Sequence, residues 1–500
     1  MLFNAYAFIF AFLPLAVAAY LVAHRAAGPF AASAVALGFS AAFYLLGEHS
    51  QTWLIFVSIA FNFLVGHAIL AAGPRTRRPW LVLGLVANLG VLLTFKYAGF
   101  FVSQVNLALN AAIPAPGLSL PVGISFYTFT QIAFLCDCYA RHANRTDPVR
   151  YGLFVTYFPH LVAGPILHHR EMVPQFMRGR ITNLPVRLYA GLGMFALGLA
   201  KKTLLADPCG RIASEIFASA ALGPVQLVSA WVGALAYTGQ IYYDFSGYSD
   251  MAIGISYMMG IRLPYNFNSP YKSRSIVEFW RRWHITLSRF LRDYLYIPLG
   301  GSGKGRVRRY LNLAATMVLG GLWHGAGWTF LVWGVIHGAA LALAHGWRDL
   351  RMPRVPPILS YALTLFLVVM AWVPFRAPTM AVAATLWAGM LGLGGFSFPA
   401  LGPLAPVYVA LHVEPGPISF DVPDLLLIAA ALVLAAVAPN SQELMRRFRM
   451  GLESPGYETV GRLRGVSVRM TWRWAVFLGV LFAVAARSIG GYSEFIYFQF

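Results

Sequence analysis

The chain has 500 residues, 58% of them hydrophobic and only 11% charged, with a formal net charge of +20. Soluble domains carry roughly 25% charged residues, so this composition excludes an ordinary soluble domain and predicts an all-α, polytopic membrane protein. The basic residues sit in short gaps between apolar runs, not in a basic soluble domain. That excludes a nucleic-acid-binding module and matches the positive-inside pattern of cytoplasmic loops lying against anionic lipid.

In chain order, the opening MLFNAYAFIFAFLPLAVAAYLVAHR has no basic residue before its apolar run. It therefore reads as a retained first span with its N-terminus outside, not as a cleaved signal peptide. Basic-residue bias then puts His24–Arg25 inside, Glu48–His49 outside, Arg75–Arg78 inside, the loop Asn110–Gly117 outside and Arg141–Arg150 inside. Cys136 and Cys138 form a C-D-C beside that last basic loop. With Cys209 they make neither a disulfide framework nor a zinc pattern.

The middle of the chain is less regular. YFPHLVAGPILHH and YYDFSGYSDMAIG are too polar to face lipid, and irregular backbone at membrane depth must be shielded by protein or line a cavity. Short, re-entrant or interfacial helices around a polar cavity are expected here. Plotted at 100° per residue, Ile276, Trp280, Trp283, Leu287, Leu291 and Tyr294 share one face of a helix over 276–296, with Arg281, Arg282, Arg289 and Arg292 opposite. This predicts one amphipathic helix at the cytoplasmic interface, with His284 turned toward the protein. The late chain has no Lys or Arg from Ala377 to Gln442, so its loop 401–424 is predicted outside. Spans near 425–437 and 474–486 follow, and the chain ends outside on FIYFQF. The divisions are 1–150 for N-terminal spans, 151–346 for the core and 347–500 for C-terminal spans, giving roughly 11–13 spans of ~20 residues.

Several side chains could carry chemistry. His324 lies in W-H-G-A-G-W, where glycines permit close approach and two tryptophans can wall a pocket. An intramembrane ionisable group is a functional candidate by default, and a neutral imidazole can take a proton from a hydroxyl. The alternative is a structural histidine bonded to a neighbouring helix. His284, in F-W-R-R-W-H, is the second candidate. His337 falls about 220° from His324 round a continuous helix and reads as structural. His168, His169 and Glu171 lie in a basic loop that discourages a cation, and there is no H-E-x-x-H, so no metal site is expected. GGSGKGR (Gly300–Arg306) departs from the P-loop pattern, because Gly305 follows Lys304. It reads as a turn whose amides and Lys304 could meet a phosphate. Asp137, Asp244 and Asp250 lie in or beside apolar segments and need partners. They could orient a histidine, line a hydrophilic path or pair with arginines.

PVGISFYTFTQIAFLCDCYARH, YFPHLVAGPILHHREMVPQF, YYDFSGYSDMAIGISYMMGIRLPYNFNSPYKSRSIVEFWRRWHITLSRFLRDYLYIPLGG, GGLWHGAGWTFLVWGVIHG, APNSQEL and FIYFQF occur in that order. Together they resemble the membrane-bound O-acyltransferase family, most of all its bacterial polysaccharide branch of alginate O-acetylation subunits. The cysteines flanking Asp137 depart from that pattern, away from the histidine motifs. The resemblance implies a tunnel crossing the membrane, with His324 as essential catalytic residue and His284 as second functional histidine. It implies acetyl-CoA as cytoplasmic donor, a polysaccharide acceptor beyond a bacterial inner membrane, and a periplasmic partner of the SGNH-esterase type. Arg281, Arg282 and Lys304 are candidates for the anionic CoA head, and the terminal FIYFQF for an exposed docking element. Teichoic acid D-alanylation and peptidoglycan or cellulose O-acetylation are alternatives within the family. A polymer or lipid transporter is the alternative outside it; the absence of an apparent internal repeat counts against that reading.

Overall fold

The structure, a computed structural model, describes residues 2–47, 51–162, 164–396, 420–452, 466–490 and 495–496. The described residues form no strand beyond an isolated bridge between Pro264 and Leu452. Most of the predicted outside loop 401–424, and residues 497–500 of the terminal motif, lie outside the described residues.

The N-terminal helices are α1 (Leu13–Leu45), α2 (Trp53–Ala71), α3 (Arg77–Leu109) and α4 (Ile124–Tyr139). Helix α1 kinks where Gly28, at φ 83°, precedes Pro29. Proline disfavours the helical conformation of the residue before it, and only glycine takes a positive φ there without strain. The kink brings His24 to the basic region, where its Nε2 hydrogen-bonds the Arg178 carbonyl at 3.0 Å. Arg141 donates to the carbonyls of Leu70 and Ala72 at 2.5 and 2.7 Å, and Arg77 to that of Tyr139 at 3.1 Å. Basic side chains thus gather at one end of these helices, as the charge bias predicts.

The core comprises α5 (Pro148–Thr156), α6 (Phe158–Leu161), α7 (His169–Phe176), α8 (Leu184–Ala200), α9 (Asp207–Ser219), α10 (Leu227–Met258), α11 (Ile276–Arg282), α12 (Ile285–Leu291), α13 (Arg306–His324) and α14 (Trp328–Asp349). Then follow α15 (Pro357–Arg376), α16 (Met380–Met390), α17 (Val422–Val437), α18 (Ser441–Leu444) and α19 (Trp472–Arg487). Among the described residues six helical stretches are long and apolar enough to cross a membrane: Phe8–Leu45, Trp53–Ala71, Arg77–Leu109, Leu184–Ser219, Trp328–Asp349 and Pro357–Arg376. The span expected near 425–437 is α17, of 16 residues; α16 is shorter still with 11, and α10 is polar, with Gln240, Asp244 and Asp250.

Helix α10 is the axis of the core, buried at every position from Ile241 to Met258 and packed against α8, α9 and α16. Its antiparallel contact with α8 is a crossing of glycines. A Cβ on Gly198 would lie 2.5 Å from the Gly247 carbonyl oxygen, and one on Gly254 equally close to that of Gly191. Backbones come this near only where both helices lack side chains, a recurring device between membrane helices. The buried carboxylates of α10 are answered by a π-helical stretch, Lys201–Ala206. Lys201 Nζ is 2.6 Å from Asp250, which also accepts from Ser441, and Lys202 Nζ is 2.7 Å from Asp244. Lysines, not arginines, are therefore the partners.

Residues 276–296 do not form the single helix expected. The chain breaks between α11 and α12, with His284 left-handed at φ 43°, and continues as a π-helical turn, Arg292–Tyr296. The Ser275 hydroxyl caps α11 by accepting from the Glu278 amide, while Asn266 takes the side chains and amides beyond the break. Periodicity assumes unbroken helix; here tertiary hydrogen bonds outweigh continuity. The apolar face is nonetheless buried, with Trp283 at 2% exposure and Leu287 at 1%.

Candidate active site

His324 is the last residue of α13. Gly325 and Gly327 then run extended, and Trp328 starts α14. The hairpin is tight because a Cβ on Gly334 would come within 2.6 Å of the Met317 carbonyl oxygen and one on Gly338 within 2.9 Å of the Ala314 Cα. A Cβ on Gly325 would strike the Phe330 ring. Gly325, with Gly334 and Gly338 on α14, thus makes the hairpin narrow, with His324 at its turn.

The imidazole is 4% exposed and boxed by aromatic rings: Trp323 at 4.8 Å, Phe375 at 5.0 Å and Trp333 at 5.2 Å between centroids. His324 also borders a cavity of about 70 Å³ whose wall includes Lys96, Pro121, Gly123, Ser125 and Trp323. One water needs about 10–15 Å³ of such space, so the cavity can admit a small group. The cavity wall 120–126 follows directly on the loop Asn110–Gly117, at the end of α3 opposite the basic residues.

His284 is fully buried, stands edge-on to Phe245 at 4.7 Å and lies 6.3 Å from the Trp323 ring. The two candidate histidines therefore flank one indole. The break at His284 is what turns its ring inward.

Asn266 holds that ring. Its side-chain oxygen faces three donors: His284 Nδ1 at 3.0 Å, the Thr286 hydroxyl at 2.9 Å and the Thr286 amide at 3.3 Å. The Thr286 amide can only donate, which identifies that atom as the carbonyl oxygen. His284 must then carry its proton on Nδ1, leaving Nε2 as the basic nitrogen.

His337 does not point away, as a continuous helix would have it. Because the helix ends at His324 and restarts at Trp328, the His337 ring comes within 4.8 Å of Trp333, the indole that also meets His324. Its Nδ1 accepts from Trp280 Nε1 at 3.3 Å.

The other candidates lie elsewhere. Arg281 and Lys304 are exposed, and Arg282 pairs with Glu278. The turn carrying Lys304 is held by Asn312, which donates to the carbonyls of Leu299 and Gly301. Glu171 is engaged by both terminal nitrogens of Arg289, and His168 by the Tyr294 hydroxyl at 3.0 Å; that hydroxyl donates to Asp137 at 2.9 Å. Among the described residues no three His, Cys, Asp or Glu side chains gather as a metal site.

The terminal motif departs from expectation. Phe495 and Ile496 are buried at 3% and 4% exposure, with the Phe495 ring tilted against Tyr248 at 4.8 Å between centroids and the Ile496 amide donating to Asp244 at 3.0 Å. These two residues are part of the core and form no exposed docking element, because burial gives an aromatic ring and a peptide N–H partners that water at the surface would not.

Lys96 was missed by the sequence reading. It is the only Lys or Arg between Arg78 and Arg141, and a lone cation inside a membrane helix is itself a signal. Asn266 had no such signal, since an asparagine in a polar segment is unremarked without its contacts.

An all-helical, multi-pass membrane protein with a buried histidine at a helical hairpin is the class that fold and site define. A sequence profile of the membrane-bound O-acyltransferase family matches residues 87–385. The chain is 41% identical to the peptidoglycan O-acetyltransferase of Helicobacter pylori, over 79% of this chain and 81% of that one. It is 41% identical to the probable alginate O-acetylase AlgI of Azotobacter vinelandii over 80% of each, and 37% identical to that of Pseudomonas putida over the full length of both. The chain belongs to the membrane-bound O-acyltransferase family and is an O-acyltransferase, acting with an acyl donor.

Proposed function

We propose that this protein transfers acetyl groups from cytoplasmic acetyl-CoA across the bacterial inner membrane for O-acetylation of an extracytoplasmic polysaccharide such as alginate. An SGNH-type periplasmic protein is the immediate recipient in this reading. The observation that carries it is His324: an imidazole boxed by aromatic rings at a hairpin turn, beside a small cavity whose wall adjoins the loop opposite the basic end. The names of the relatives supply two polymers, peptidoglycan and alginate, and the full-length match to the Pseudomonas putida relative favours the second.

In this mechanism His324 accepts the proton of the attacking hydroxyl as its oxygen bonds to the thioester carbonyl carbon. The tetrahedral intermediate collapses with cleavage of the C–S bond, and the proton held by His324 passes to the leaving CoA sulfur. His284, its basic Nε2 set by Asn266, assists by hydrogen bonding to donor or acceptor. The aromatic box excludes water, which protects the thioester from hydrolysis and strengthens local electrostatics. The exposed Arg281 and Lys304, together with Arg282, attract the CoA phosphates.

The test uses protein in lipid with acetyl-labelled CoA, with and without a periplasmic SGNH partner, reading release of free CoA. Wild type should turn over and His324→Ala should lose at least about 10²-fold, the lower range of general-base effects, with His284→Ala also impaired. A silent wild type in folded form, active instead with a D-alanyl carrier protein, would move the assignment to teichoic acid D-alanylation. Silence with both donors would favour transport.

A further inference from the structure

Lysine 96 sits deep in α3, about 19 residues or ~28 Å from the basic end. A cation there is costly unless its donors are met. An ammonium has three donors, and three acceptors surround this one: the Trp323 carbonyl at 2.5 Å, the His324 carbonyl at 3.1 Å and the Ser125 hydroxyl at 3.1 Å. The adjacent Tyr97 hydroxyl donates to the Leu322 carbonyl. Three consecutive carbonyls at the end of α13 are thus capped from one place on α3.

Those carbonyls need outside donors. The last carbonyls of any helix lack intrahelical partners, and the extended chain at Gly325 and Gly327 does not curl back in a glycine cap of the usual kind. With its donors so engaged, Lys96 reaches the cavity wall without a donor to spare for a substrate. Its position at the helix C-terminus also places a cation where the helix dipole favours one.

We infer that Lys96, with Tyr97, is a positioning residue for acyl transfer: it pins the last turn of α13 and thereby sets where His324 meets the reacting atoms. The inference rests on His324 being the reacting group proposed above. An ångström of misplacement can cost on the order of 10²-fold in rate, so the effect falls on kcat and not on donor binding.

The experiment compares wild type, Lys96→Met, Lys96→Arg and Tyr97→Phe in lipid. It reads kcat and KM for acetyl-CoA, together with hydrogen exchange over 320–328. Lys96→Met should lower kcat by at least about 30-fold with KM within about threefold, and should speed exchange at the end of α13. Lys96→Arg, which keeps the donors, should recover most of the rate. Full kcat in Lys96→Met with unchanged exchange overturns the inference. So does a loss of donor binding that parallels the loss of kcat in a folded variant. If Lys96→Met does not fold, Tyr97→Phe decides: a reduced kcat at unchanged KM supports the inference, and wild-type behaviour overturns it. Wild-type silence with acetyl-CoA counts against the donor assignment instead, and the exchange comparison then judges Lys96 on its own.

Discussion

His284 gives its Nδ1 proton to the side-chain oxygen of Asn266 across 3.0 Å. That single bond ties a left-handed helix break to a defined tautomer. Asn266→Ala leaves buried donors on His284 and Thr286 without their acceptor, which costs about 1–3 kcal/mol. It also frees the imidazole to take either tautomer. We expect Asn266→Ala to lose at least about tenfold in kcat, and Asn266→Asp, which still accepts from Nδ1, to retain more. Labelled-CoA turnover measures both; equal activity in the two variants would show that the tautomer does not matter.

His337 shares Trp333 with His324 but receives its hydrogen bond from Trp280. Replacing it with Phe keeps the ring and strands a buried indole N–H, so stability should fall by about 1–3 kcal/mol. Turnover should fall much less than in His324→Ala. Thermal unfolding in detergent and CoA release, measured on the same preparation, separate the two effects. A His337→Phe protein as inactive as His324→Ala would place His337 in the chemistry.

The α8–α10 crossing admits no side chain at Gly198, where a Cβ would sit 2.5 Å from a carbonyl oxygen. Overpacking of this kind costs about 1–3 kcal/mol or more. Gly198→Ala should lower the melting temperature and Gly198→Val should abolish folded yield. Gly90 on α3, with nothing within 4 Å of its Cβ position, should accept Ala with a slight gain, about 1 kcal/mol or less. Size-exclusion profiles and melting curves of the three variants test this.

In the basic region, burial, with Arg289 and Arg170 adding to it, pushes the His168 pKa from 6.5 down to about 3. Burial likewise lowers neighbouring His169 to about 4. The folded protein keeps these rings neutral while the unfolded chain takes up protons below pH 6.5. Between pH 3 and 6.5 the unfolded state therefore binds more protons, so stability is full above 6.5 and declines as pH falls through that window. Melting temperature should drop from pH 7.5 to pH 4.5, and the drop should be shallower in His168→Gln. An identical slope in the variant would contradict this account.

The Phe495 ring packs at a tilt against Tyr248 and lies 6.5 Å from Phe245, which in turn meets His284. Phe495→Ala should therefore cost about 3–5 kcal/mol, as for other buried aromatics. It should also lower turnover without a periplasmic partner present. A defect seen only when the partner is added would restore the idea of a docking tail.

Much of this protein is written locally along its chain. Long apolar runs require helices, because lipid offers no partner to backbone amides, and most Lys and Arg lie in the gaps between those runs, with Lys96, Lys201 and Lys202 among the exceptions inside them. The W-H-G turn is legible for the same reason: glycines and a lone imidazole in an apolar stretch need no distant contact to be noticed. Periodicity failed where it presumed an unbroken helix, at His284 and between His324 and His337. A helix ends where other partners satisfy its backbone better, and those partners are remote in sequence. Lys96 reaches carbonyls 227 and 228 positions away, and Ile496 reaches Asp244 across 252. Which carboxylate meets which lysine, which nitrogen of His284 is basic and what holds His324 in place are pairwise matters of distance. Only the packed chain brings those pairs within reach.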